Sequence, residues 1–92
     1  MAYTILFEPS AKEDLKQIRD YIALDSKTAA RNFIKQLQER ISLLSDMPYL
    51  GRASIYHEDE CFRDLIFKKY TIVYKVLENS VHILAIFTRK DY

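Results

Sequence analysis

An α+β domain with the element order β-α-α-β-β-β is predicted from three features of this chain. Two stretches with helical apolar spacing follow one another with only a few residues between them. The turn Met47-Pro48-Tyr49-Leu50-Gly51 then ends the helical pattern and holds the only glycine. Beyond it the apolar period falls from 3.6 to 2. The helical hairpin has one apolar face, and the sheet is the only surface large enough to bury it. The expected architecture is an antiparallel sheet with the hairpin on one face and its other face open to solvent or a partner.

Each element has its own local justification. Tyr3-Thr4-Ile5-Leu6-Phe7 is β-branched and aromatic, a strand that Pro9 ends. Ser10 and Glu13 have the spacing of a capping box. Ala11, Leu15, Ile18 and Ile22 then define a first helix over about 11–23. Asp25 or Ser26 is the next N-cap. Ala30, Phe33, Ile34, Leu37, Ile41 and Leu44 form the stripe of a second helix over about 27–45, stopped by Pro48. The short link makes the two helices antiparallel neighbours. Strands are expected over 62–67, 70–77 and 81–87, the last two joined as a hairpin by Glu78-Asn79-Ser80.

The 92 residues make one domain, 1–92. With 49% hydrophobic and 29% charged residues, the chain has the composition of a folded protein. A single glycine excludes a Gly-rich phosphate loop. Lys+Arg is 14 against 13 for Asp+Glu, a net +1, less basic than a dedicated nucleic-acid binder. Cys61 stands alone, so neither an internal disulfide nor a multi-cysteine zinc site is expected. The first residues lack the pattern of a signal peptide, and no apolar run approaches the roughly 20 residues of a membrane span. A cytoplasmic protein without membrane association is expected.

Candidate chemistry lies in the C-terminal part. Arg52, Arg63, Lys68, Lys69, Lys75, Arg89 and Lys90 are its cations, set against the acidic run Glu58-Asp59-Glu60 and a few further acids. A local positive patch on the sheet is one reading; an ordinary solvated face of mixed charge is the other. Tyr70, Ile72, Tyr74 and Val76 share one strand face, and Thr71, Val73, Lys75 and Leu77 the other. Aromatics on an open sheet can stack nucleobases, although a core or partner-contact role is commoner. His57 through Cys61 include metal-ligand types, but consecutive residues do not converge on one ion, so no metal site is expected.

Taken in order, these residues resemble the RelE/ParE superfamily of bacterial toxin–antitoxin toxins. The resemblance runs through Ala11, Asp14-Leu15, Ile18 and Tyr21-Ile22, then Ala29-Ala30, Phe33, Leu37, Ile41 and Leu44. It continues with Pro48, Gly51-Arg52, Arg63-Asp64-Leu65, Tyr70 to Tyr74 and Arg89-Lys90. The long hairpin and the Pro-x-x-Gly-Arg turn look closer to the ParE branch, whose members inhibit DNA gyrase by binding it. The near-neutral charge agrees, because an enzyme working among ribosomal phosphates profits from a basic surface.

The resemblance implies growth inhibition and plasmid stabilisation, no cofactor, and a cognate antitoxin bound as an extended or helical segment. It also implies a homodimer or a toxin–antitoxin hetero-oligomer. Target-binding residues would be Arg52, Arg89 and Lys90. The alternative is RelE-like, ribosome-dependent mRNA cleavage, for which Arg63, Arg89 and Tyr92 match the catalytic positions. Asp91 stands where some members carry a catalytic histidine. Tyrosine, with an ordinary pKa near 10, is a poor base. A non-toxic α+β interaction module is the third reading.

Overall fold

The computed structural model describes residues 2–88. Strand β1, Thr4–Phe7, leads into helix α1, Pro9–Ala23. Proline suits a first helical turn, where its missing N–H has no intrahelical partner to lose. The expected capping box does not form. Glu8 occupies the cap position without a side-chain cap, and the Ser10 hydroxyl donates instead to the Leu84 carbonyl at 2.7 Å. Helix α2, Lys27–Ser42, is capped as expected by Ser26, whose Oγ accepts from the Ala29 N–H at 3.1 Å. It ends before the expected Ser45, in a 3-10 turn over Leu43–Ser45. That tighter turn lets Ser45 bond Tyr3 twice: its carbonyl accepts the Tyr3 N–H at 2.7 Å, and its hydroxyl donates to the Tyr3 carbonyl at 2.8 Å.

The remaining strands are β2 (Arg52–Ala53), β3 (Phe62–Phe67), β4 (Tyr70–Val76) and β5 (Ser80–Thr88). The sheet order is β1-β5-β4-β3-β2. β3, β4 and β5 pair antiparallel as expected, β2 adds an unexpected antiparallel strand beside β3, and β1 runs parallel to β5, so the sheet is mixed. The helical hairpin acts as a crossover that returns the chain to the sheet, and the first strand lies beside the last. The two-residue β2 was too short to show an alternating pattern.

One side of the sheet packs on the helices. Leu37, Ile41, Leu44 and Ala11 meet Leu65, Ile72, Tyr74 and Ile83, all buried. Phe33 of α2 tilts against Phe67 and Tyr70, with ring centroids 5.7 and 5.2 Å away. A bulge keeps β5 in phase with this core. Val73 pairs with Ala85 but Tyr74 with Ile83, leaving Leu84 as the extra residue. Val81, Ile83 and Ile86 therefore all face inward, which strict alternation would forbid.

The other side of the sheet is not open. Asp64 and Thr71 are each 1% exposed and Val73 is 4%. The segment 54–61 crosses them. The Ile55 N–H donates to Asp64 Oδ2 at 3.2 Å, Tyr56 meets Phe87 edge to face at 5.4 Å, and His57 stacks on Phe62 at 4.0 Å. A loop that is acidic at Glu58-Asp59-Glu60 thus still covers part of this face through Ile55, Tyr56 and His57. Among the described residues no helix is long and apolar enough to cross a membrane.

Candidate functional site

A cluster of polar groups is built on the turn that follows the helices. Leu50 N–H donates to the Met47 carbonyl at 3.0 Å, and the chain then enters β2 opposite β3. Arg63 pairs across the ladder with Tyr74, so both side chains leave the sheet on the helix side. There they meet Gly51. The Gly51 N–H donates to Tyr74 Oη at 2.9 Å. Arg63 donates to the Gly51 carbonyl from Nε at 3.0 Å and from Nη2 at 2.7 Å, and reaches the Tyr49 carbonyl at 3.4 Å. Its guanidinium also lies over the Tyr49 ring, 5.3 Å from the centroid. These bonds fix the guanidinium against the turn.

Burial pushes the Tyr74 phenol above its ordinary pKa of 10.0, against the opposing pull of the Gly51 N–H and the Arg63 charge. The hydroxyl therefore stays protonated at neutral pH. A folded pKa above the unfolded one means that this contribution to stability is complete below pH 10 and is lost as pH rises through the folded value. In denaturant titrations from pH 8 to 12, the advantage of the wild type over Tyr74→Phe should be constant up to about pH 10 and shrink above it. An advantage that grew with pH would contradict this sign.

Arg52 sits on the other side of the sheet. It pairs with Asp64, which pairs with Val73, which pairs with Ala85. Three strand spacings, about 14 Å, therefore separate Arg52 from β5. Arg52 and Arg63 are neighbours in the ladder but point to opposite faces. The structure does not bring them into one cluster. Arg89, Lys90 and Tyr92 lie outside the described residues, just beyond the end of β5. Lys75 covers the Phe62 ring at 5.2 Å, extending the His57–Phe62 stack. Among the described residues no group of three metal-ligand side chains forms.

Sequence reading missed three of these arrangements. Tyr74 was read as one of four alternating residues on a strand face, and nothing local shows that its hydroxyl reaches Gly51. Asp14 and Ser10 serve β5: Asp14 Oδ2 accepts the Ile86 N–H at 3.0 Å, and Ser10 takes the Leu84 carbonyl. β1 pairs only as far as Ile83, so these two side chains continue the edge it leaves. His82 joins Glu8 and Ser80, with Nδ1 2.9 Å from Glu8 Oε1 and Nε2 3.1 Å from Ser80 Oγ. The Glu8 carboxylate is thus spent on β5, which explains why it does not cap α1.

The family model described as the ParE toxin of the type II toxin–antitoxin system parDE matches residues 5–92. The chain belongs to this family. A comparison with curated proteins finds no match. Among solved structures, the chromosomal ParDE system of P. aeruginosa is similar, with a TM-score of 0.80 at 21% identity, over 97% of this chain and 98% of that one. The toxin–antitoxin complex RelBE2 of Mycobacterium tuberculosis gives 0.69 at 20% identity, over 99% and 95%. The YoeB dimer of Staphylococcus aureus gives 0.55 at 21% identity, over 100% of both chains. These likenesses establish a shared fold.

Proposed function

We propose that this toxin acts by binding DNA gyrase and is neutralised by a cognate antitoxin, with Arg52, Arg89 and Lys90 on the target-binding surface. The match to the ParE model over nearly the whole chain carries the reading. The engagement of Arg63 with two backbone carbonyls supports it, because RelE-like cleavage would ask that guanidinium to meet a phosphate. The antitoxin is proposed from the family and from the toxin–antitoxin complexes among the similar structures.

Purified toxin should inhibit supercoiling by gyrase and leave translation on purified ribosomes intact. Tyr92→Phe separates this from RNA cleavage by Arg63, Arg89 and Tyr92. A contact hydroxyl contributes about 1 kcal/mol, less than tenfold. A catalytic one contributes a factor of about 10²–10⁴. Growth inhibition should survive Tyr92→Phe, weaken partly on deletion of Asp91 and Tyr92, and fall further in Arg89→Ala. Codon-associated mRNA cuts that vanish in Tyr92→Phe would replace gyrase with the ribosome as target.

A further inference from the structure

The start of β5 and the β1–α1 junction bring a hydroxyl, an imidazole and a carboxylate into one chain of hydrogen bonds. Ser80 Oγ is 3.1 Å from His82 Nε2, and His82 Nδ1 is 2.9 Å from Glu8 Oε1. A carboxylate only accepts hydrogen bonds, so Glu8 fixes the ring proton on Nδ1. Nε2 of the neutral ring then keeps its lone pair, and the Ser80 hydroxyl donates to it. Paired backbone holds the members in place. The Glu8 N–H donates to the Ile83 carbonyl at 2.9 Å, and the Ser80 carbonyl accepts the Leu77 N–H at 2.8 Å. Ser80 and His82, two apart on β5, share a face of the sheet. His82 pairs with Leu6 of β1 on one side and with Lys75 of β4 on the other. The site is reachable from solvent: the side chains of His82 and Glu8 keep 23% and 42% of their surface. Leu6 and Leu77 flank it and are exposed.

We propose that Ser80, His82 and Glu8 form a serine-hydrolase site for small carboxylic esters, with Ser80 as nucleophile, His82 as general base and acid, and Glu8 positioning the imidazole. The order of contacts, hydroxyl to Nε2 and Nδ1 to carboxylate, is the one acyl transfer needs. Ser80 Oγ attacks the ester carbonyl carbon, its proton passes to His82 Nε2, and the carbonyl π pair moves onto the oxygen. Collapse of this adduct breaks the bond to the alkoxy oxygen, which leaves with the proton from Nε2. The acyl group is then on Ser80. A water attacks it and gives one proton to Nε2. The second collapse frees the carboxylic acid and returns that proton to Oγ. The net change is ester plus water to acid plus alcohol. Glu8 stabilises the imidazolium formed in each half. Lys75, across the ladder from His82, supplies a positive charge on the face where the oxyanion develops. The exposed leucines on either side suit a short apolar acyl chain. An ester fits such an open site better than a peptide, because its alkoxide is the easier leaving group.

The test uses the purified full-length chain. A fluorophosphonate probe should label the wild type on Ser80, as located by peptide mass spectrometry. With p-nitrophenyl acetate the chain should release a burst of about one p-nitrophenolate per molecule, followed by slower turnover. Ser80→Ala should lose both label and burst while its far-ultraviolet circular dichroism stays unchanged. His82→Gln should lower kcat by a factor of about 10²–10⁴. Glu8→Gln keeps a hydrogen-bond acceptor for Nδ1 and removes the charge. It should lower kcat by at least about tenfold with KM held within about twofold, a split that loss of folded protein alone does not produce in this pattern with the label retained. A wild-type chain that takes up no label, or takes it up at another residue, overturns the proposal whatever the variants do. Ester hydrolysis by Ser80→Ala at the wild-type rate also overturns it, and assigns the activity to an imidazole acting without the serine.

Discussion

Leu37→Ala is expected to cost about 2–5 kcal/mol, the range for a large aliphatic removed from a packed core. Leu37 is 0% exposed and lies where α2 meets the sheet, among Ile41, Leu44 and the inward residues of β4 and β5. A domain of this size holds only about 5–14 kcal/mol in total, so one truncation consumes a large share of it. At about 4–8 °C per kcal/mol, thermal unfolding should move down by at least about 8 °C. A shift of one or two degrees would mean that the cavity collapses without loss, and that the hairpin is not the stabilising layer described above.

Gly51→Ala is expected to cost about 2–4 kcal/mol, from overpacking together with a broken hydrogen-bond pair. The glycine is there for space, since its φ is not positive. A Cβ at this position would stand 2.6 Å from the Asp64 carbonyl oxygen and 2.8 Å from Tyr74 Oη. The first of these belongs to the β3 backbone and cannot rotate aside. Moving Gly51 away would strip the Tyr74 hydroxyl of its donor and the Arg63 guanidinium of its main acceptor. Urea denaturation of Gly51→Ala, Tyr74→Phe and the double variant forms a cycle. The two losses should fall short of adding by at least about 0.5 kcal/mol, because removing Oη removes one of the clashes. Strict additivity would mean that glycine and tyrosine are not coupled.

What the sequence made legible follows from the range of the interactions. The helical stripes, the Ser26 cap and strands β3 and β4 were readable because their signals are local: spacing, a capping residue, alternation. The parallel β1–β5 pairing was not readable, since it joins Thr4 to Ser80 across the whole chain. Ser10 carried a valid capping-box spacing, but the unpaired Leu84 carbonyl competed for its hydroxyl and won. The run from Val81 to Phe87 is apolar at all but one position, so the bulge at Leu84 left no mark in it. For the site, the resemblance names Arg63 at a catalytic position of the RelE-like alternative, and the structure sets it against the turn at Gly51. Its acceptors, though, are backbone carbonyls, which no side-chain pattern reveals.

The side-by-side placement of β1 and β5 bears on how this protein is made. The strand that forms first on the ribosome waits for a partner that begins 76 positions later, from Thr4 to Ser80. β5 is also the neighbour of β4 and the strand on which α1 rests through Ser10 and Asp14. A nascent chain that lacks β5 has the helical hairpin and the β3–β4 pair, but not the strand that bonds β1, α1 and β4 together. Such non-local closure is slow, because loop entropy must be lost before the contacts form. The sheet therefore closes only once β5 has been made. A chain interrupted before β5 is expected to be open to proteases, because β1 then has no partner strand.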